Sequence, residues 1–286
     1  MGSGKSAAQT ALGQFPRTNG LPKQSAKYWA KEKDRYLRQL LINDIEAATG
    51  RRLIVYFSQL SEQIDDTDPD DLAEILSDVH EREADLFIQT PGGLVDATEK
   101  MVSVLQKKFS DYRVIVPSWA KSAGTVIALS SSNIVLGINS ELGPIDPNWE
   151  VEKGLMVPCE LIAEDPKFDD YVRAMARLQA ERMTQMTTAL LAKGMMRNST
   201  QDEIDGVIIK LSTCTGYKSH GAVIDFDEVE KLGLSATYLE PEDDLWKRIW
   251  LLYCLYDYDT RIHCIAKILE GRRFSIARPL RNVDLR

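Results

Sequence analysis

The sequence predicts an α/β protein with a mainly parallel sheet, and three observations carry that expectation. From Arg51 onward, short apolar runs alternate with amphipathic helical ones, beginning with "RLIVYFSQ" at 52–59, "DPDDLAEILSDVHE" at 68–81 and "ADLFIQT" at 84–90. The connections between them are short, which implies right-handed crossovers and parallel neighbours. Turns of small residues, "PGG" and "AKSAGT", stand directly after two of the strand-like runs.

Each element follows from its own residues. Residues 1–26 are small, polar and punctuated by Gly and Pro, the composition of a tail that orders only against a partner. The "GSGKS" within it lacks the first glycine of a phosphate-binding loop, and no strand precedes it. Residues 27–49 place Tyr28, Trp29, Tyr36, Leu37, Leu40, Leu41 and Ile45 at helical spacing. After the strands at 52–59 and 84–90 and the acid-started helix at 68–81, a helix is expected over 94–108. A strand "YRVIVPSW", a helix from Ser122 and a strand "NIVLGI" come next. Residues 169–196 read as a long amphipathic helix with a methionine stripe. Residues 241–269 read as an apolar helix that must be buried, and "EGRRFSIARPLR" as a docking strand or tail. The expected organisation is a flexible tail (1–26), an N-terminal helix (27–49), a main domain (50–240) and a C-terminal helical extension (241–286).

Composition narrows the function. Of 286 residues, 44% are apolar and 27% charged, as in an ordinary soluble globule, and the net charge of −8 argues against a general binder of nucleic acid. Four cysteines without a CxxC pair and three histidines assemble no zinc-type cluster, so no metal or other cofactor is expected. No run is apolar enough for a membrane span and no signal-peptide core opens the chain. With thiols read as free, the expectation is a cytoplasmic protein.

Two strand ends carry the chemistry. In a parallel sheet, reactive groups gather at the carboxyl ends of strands, where helix starts present unpaired amides. Gly92 and Gly93 let the backbone approach a ligand closely, or simply make a tight turn. Ser122, at a helix start, is either an N-cap or an exposed nucleophile. Taken together they suggest more: the amides of Ala123 and Gly93 make a pair of donors for an oxyanion, and Ala123 and Gly124 keep the helix start free of bulk.

The ordered set "QTPGG", "AKSAGT", "SELGPIDP", "TGYKSHG" and "EVEKLGL" resembles the serine dehydrogenase proteinase family, within the superfamily of the Clp proteolytic subunit, signal peptide peptidase A and crotonase. The resemblance covers residues 50–240. It implies a crotonase-like (Clp-type) β/α spiral with added N- and C-terminal helices, and a serine peptidase acting on peptides or unfolded protein. The apolar helix within 241–269 and the Tyr- and Trp-bearing helix within 27–49 would not stay exposed in water, so a homo-oligomer is expected, and an activating protein partner is also considered. By the resemblance, Ser122 maps onto the nucleophile, Gly93 and Ala123 onto the oxyanion amides, and Gly92 and Gly124 onto the substrate-binding turn.

The base is open between two residues. Where the Clp subunit has its histidine this chain has Asp146, in "PIDP", and near the position of the Clp aspartate it has His220. The resemblance thus implies a Ser122, His220 and Asp146 triad with two positions exchanged, since roles outrank chain order. Signal peptide peptidase A resembles a serine–lysine dyad instead, for which Lys167 stands in the right interval; Glu164, Asp165, Asp169 and Asp170 around it favour its charged form. Lys121 adjoins Ser122, with its side chain expected to point away. Plain roles compete with each: Asp146 as a turn cap, His220 as a loop histidine, Lys167 as a surface cation, and His80 and His263 as structural. A catalytically silent scaffold of the same fold, and an acyl-CoA enzyme of the crotonase type, are the rival functions.

Overall fold

The computed structural model describes residues 25–280, so all but the last two residues of the expected tail lie outside the described residues. The N-terminal helical stretch is two helices, α1 (Ala26–Lys31), capped by the Ser25 hydroxyl, and α2 (Lys33–Thr49), which ends on Gly50 in the left-handed conformation. β1 (Arg52–Ser58) follows and is buried at every position, because helices cover both faces of the sheet. α3 (Asp68–Leu76) carries three aspartates and a proline in its first turn, which suits a helix start, and stops five residues short of the expected end.

β2 (Glu83–Gln89), α4 (Val95–Lys108) and β3 (Asp111–Ile115) come next. The expected strand over "YRVIVPSW" is broken at Pro117, which has no N–H for a ladder, and resumes as the short β4 (Trp119–Ala120) in a second layer. Then come α5 (Ala123–Leu129), β5 (Asn133–Leu136) and β6 (Glu141–Leu142), the last paired in parallel with β4. A hairpin, β7 (Asn148–Glu152) and β8 (Leu155–Pro158), precedes α6 (Cys159–Glu164) and the long α7 (Asp170–Lys193). The chain continues with α8 (Gln201–Ser212), α9 (Cys214–Tyr217), α10 (Phe226–Lys231), β9 (Ala236–Tyr238), α11 (Asp244–Ile262), β10 (Ile265–Glu270) and β11 (Ser275–Pro279).

The main sheet runs β11-β10-β1-β2-β3-β5-β9. The five strands from β1 to β9 are mutually parallel, as expected, while β10 lies antiparallel to β1 and β11 antiparallel to β10. The C-terminal segment therefore departs from expectation. The helix over 241–269 ends at Ile262, the chain turns through Cys264 at φ 51°, and "IAKILE" enters the sheet with five of six residues buried. A short apolar run reads alike as buried helix or buried strand, which is why periodicity missed the switch. Alternate residues of β1 feed two cores. Ile54 and Tyr56 face α3, α4, α5, α7 and α8, and Leu53, Val55 and Phe57 face α2 and α11.

Two buried ionic clusters lock β10 in place. Lys267 Nζ, on a side chain 2% exposed, lies 2.8 Å from Asp68 Oδ2 and 2.9 Å from Asp65 Oδ2. The Tyr56 hydroxyl donates to Asp68, and Arg278 of β11 pairs with Asp65, Asp68 and Asp71. On the other face Arg38 of α2 pairs with Glu270 and Asp259, and the Tyr256 hydroxyl donates to Glu270 at 2.6 Å. Removing one partner of such a cluster strands the other in a dry place. Lys267→Met should therefore lose about 3–5 kcal/mol in urea unfolding. The Asp65 carboxyl is held well below the usual range by the Thr67 and Lys267 hydrogen bonds, which outweigh its burial. A depressed carboxylate pKa stabilises the fold above the unfolded value near 4, and that contribution fades as pH falls further. The acid limb of a stability–pH curve should accordingly be shallower in Lys267→Met than in wild type.

Candidate active site

The ends of β2 and β4 cross at Thr90 and Ala120. Thr90 N–H donates to Trp119 O at 3.3 Å, and Lys121 N–H donates to Thr90 O at 2.9 Å, closing a parallel bridge between the two ends. A Cβ on Gly124 would lie 2.5 Å from Thr90 Cγ2, so only glycine lets α5 start this close to β2. Gly124 thus faces Thr90, and its smallness serves packing; neither Gly124 nor Gly92 lines the cleft described below, where substrate contacts were expected.

Past Thr90 the chain runs through Gly92 at φ 98° and Gly93 at φ 152°, both in territory that disfavours a side chain. Space forbids one as well. A Cβ on Gly92 would sit 2.8 Å from Lys121 O and from Ser122 Cβ, and one on Gly93 2.3 Å from Ile64 O. Ile64 clamps this turn: its N–H donates to Gly92 O at 2.7 Å and its carbonyl accepts from Leu94 N–H at 2.9 Å. Among the described residues, the Gly93 and Ala123 amides have no partner.

Ser122 adopts φ 51°, ψ −116°, a conformation costing of order 1–3 kcal/mol that persists only where the surroundings impose it. Its hydroxyl makes no capping bond to α5, so the N-cap reading does not hold. The oxygen is left free at the floor of a cleft of about 560 Å³. Leu94, Val95, Trp149, Met156 and Met183 line the cleft with Gln63 and Gln179, and His220 lies on its wall.

Asp146 and His220 meet. The His220 ring places Nδ1 2.9 Å from Asp146 Oδ1, and the aspartate side chain is 4% exposed while the imidazole side chain is 38% exposed. A buried carboxylate assigns the proton to Nδ1 and leaves Nε2 as an acceptor, the tautomer in which a histidine can take a proton. Asn148, which sequence reasoning did not single out, completes the group. Its side-chain amide donates to Asp146 O at 2.8 Å and Oδ2 at 3.1 Å, and the same nitrogen lies 2.8 Å from His220 Nδ1, so Asn148 touches both members of the pair. Only its place two residues after Asp146 could have flagged it. Behind this group, burial and then the Asp146 charge push the Cys159 thiol up to about 12, and burial pushes Cys214 up to about 11, so both stay protonated at neutral pH.

The lysines divide clearly. Lys167 is exposed in the loop before α7, its backbone N–H bonded to Asp165 Oδ1 at 2.9 Å, and it does not line the cleft. Lys121 points away from Ser122, as expected, with Nζ on Leu142 O and Ala222 O. No hydrogen bond joins Ser122 to His220 in this structure. Asp34, Asp259 and His263 lie close enough together to share a cation, but Asp259 is already paired with Arg38. His80 is exposed at the end of the α3 turn. The Gly93 turn yields a test. Gly50, also at positive φ, has open space around its Cβ position, so alanine there should cost about 1–2 kcal/mol of backbone strain alone. Gly93→Ala adds a backbone collision, and its loss in urea unfolding should exceed that of Gly50→Ala by about 1–3 kcal/mol.

Two uncharacterized proteins of Methanocaldococcus jannaschii are 30% identical over 62% of the chain and 26% identical over 52% of it. The chain spans only 59% and 50% of their lengths. Among solved structures, a serine-to-alanine mutant of the membrane-bound stomatin-specific protease 1510-N aligns at 18% identity with a TM-score of 0.46, over 65% of this chain and 79% of its own. A ClpP1 point mutant from Listeria monocytogenes aligns at 14% identity with a TM-score of 0.41, over 68% and 94%. The profile of the ClpP-like SDH-type serine proteinases matches residues 59–262, a span that takes in the glycine turn, Ser122, Asp146 and His220. The chain belongs to that family of serine proteinases, and its α/β architecture is the ClpP/crotonase-like fold.

Proposed function

We propose that the protein hydrolyses peptide bonds through an acyl-enzyme on Ser122, with His220 as general base and Asp146 holding the imidazole. The observation that carries this reading is the 2.9 Å contact of His220 Nδ1 with the buried Asp146, in the same cleft as an uncapped Ser122. In acylation, His220 Nε2 accepts the hydroxyl proton as Ser122 Oγ attacks the carbonyl carbon. The oxyanion that forms accepts from the Gly93 and Ala123 amides, and the proton passes to the leaving amine. Water repeats the sequence on the ester and frees Ser122. No step calls for a metal or an organic cofactor.

The missing Ser122–His220 hydrogen bond bears on two readings. Catalytic contacts often tighten only when substrate binds, which fits an enzyme that closes on a peptide or unfolded protein, or on an activating partner. The same gap favours the rival, a silent scaffold of the family. Lys167 as base lacks support from its exposed position outside the cleft. Among the described residues no helix is long and apolar enough to cross a membrane, and the four cysteines are free, which supports a cytoplasmic setting. Exposed Met156 on the cleft, exposed Leu155, Leu161 and Leu178, and Trp250 and Leu251 on α11 support a homo-oligomer.

Two measurements test the reading. A fluorophosphonate should label wild type at Ser122, Ser122→Ala should not label, and His220→Ala should label on the order of a hundredfold more slowly while Lys167→Ala stays near wild type. An unlabelled wild-type protein would leave the scaffold reading standing. Light scattering at micromolar concentration should give a mass above that of one chain, and a monodisperse monomer refutes the assembly.

A further inference from the structure

Lys121 precedes Ser122 in sequence, yet its ammonium group reaches the segment that carries His220. Nζ donates to Leu142 O at 3.0 Å and to Ala222 O at 3.1 Å, and it pairs with Glu141 Oε1 at 3.0 Å. The three hydrogens of the ammonium thus meet three acceptors on a side chain only 18% exposed. Gly143 leaves room for the stem, since a Cβ there would lie 2.7 Å from Lys121 Cδ. The lysine backbone is fixed at the opposite end: its N–H donates to Thr90 O at 2.9 Å and its carbonyl accepts from Gly124 N–H at 2.7 Å.

Ala222 closes the turn on which His220 sits. Its N–H donates to Ser219 O at 3.1 Å, and Ile224 and Leu142 then exchange both backbone bonds, at 2.9 and 3.1 Å. The Ala222 carbonyl is the point at which that turn is tied to the Ser122 segment. Among the described residues, Lys121 Nζ to Ala222 O is the one hydrogen bond that runs from residues 119–124 to residues 218–224.

We propose that Lys121 is a positioning residue for His220, setting the distance from the imidazole to Ser122 by holding the Ser219–Ala222 turn against the segment between β4 and α5 that carries the serine. The inference rests on the reading of His220 as the base. It also explains why the residue beside the nucleophile is not itself a base: all three of its N–H bonds are committed to acceptors away from Ser122. A charged side chain serves here because a stem of this length ending in three donors spans the gap and meets two carbonyls and a carboxylate at once, which an apolar residue cannot do.

A double-mutant cycle separates this role from general support of the fold, because a residue that acts through another has no effect once that other is gone. The measured quantity is the rate of fluorophosphonate labelling of Ser122. Lys121→Met should slow labelling about tenfold or more in the presence of His220 and change it less than about twofold in a His220→Ala background, given that loss of a base costs on the order of a hundredfold or more. With peptide substrate the loss should fall on kcat rather than KM. If Lys121→Met does not fold, Gly143→Ala reads the same cycle, since it displaces the lysine stem and retains the charge. Equal slowing in both backgrounds, or no slowing beside an intact His220, overturns the inference and leaves the base assignment in place. A His220→Ala protein that labels at the wild-type rate overturns the base assignment, and this inference with it.

Discussion

The close crossing of two strand ends, Thr90 over Ala120, is the constraint on which the rest of the structure depends. Its backbone bonds bring the glycine turn after β2 against the start of α5, and the contact is possible only because Gly92 and Gly124 present no Cβ there. The backbone of Ser122 takes its rare conformation at this junction, where neither neighbour can give way. The strain is stored locally, and the mainly parallel sheet behind it holds the junction in place.

That junction is braced from below by charge. Ile64 clamps the glycine turn through its backbone, and Asp65, the next residue, is tied to Lys267 of β10 and Arg278 of β11. The two C-terminal strands therefore reach the cleft through one short loop. This gives the antiparallel edge a role beyond widening the sheet. The opposite face, sealed by Arg38, Asp259, Glu270 and Tyr256, fastens α2 and α11 to the same strand.

Three cations illustrate how burial sorts residues of one charge. Lys267 and Lys121 are enclosed, Lys267 between two carboxylates and Lys121 among two carbonyls and a carboxylate, so they act as struts between distant segments. Lys167 is solvated, with an acidic loop around it, and holds nothing together. Chain neighbourhood is no guide to this. The lysine adjacent to Ser122 points away from it, and the histidine that shares its cleft lies far along the chain.

Local physics decided much of this protein from sequence alone. The alternation of apolar runs and amphipathic helices predicted the parallel strands β1, β2, β3 and β5, and the glycines and small residues at 92–93 and 123–124 marked the two strand ends that form the cleft. The ordered motifs also put Asp146 and His220 forward as partners, and the structure brings them to 2.9 Å. What local pattern could not decide were features whose energy comes from remote groups. The break at Pro117 needed knowledge of which layer β4 would join, and "IAKILE" became a strand because β1 offered an open edge to it. The donors of Lys121, the amide of Asn148 and the clamp of Ile64 acquire meaning only through partners brought near by chain closure. Period and propensity report on the nearest few residues, whereas a hydrogen bond between segments a hundred residues apart is fixed by the packing that joins them.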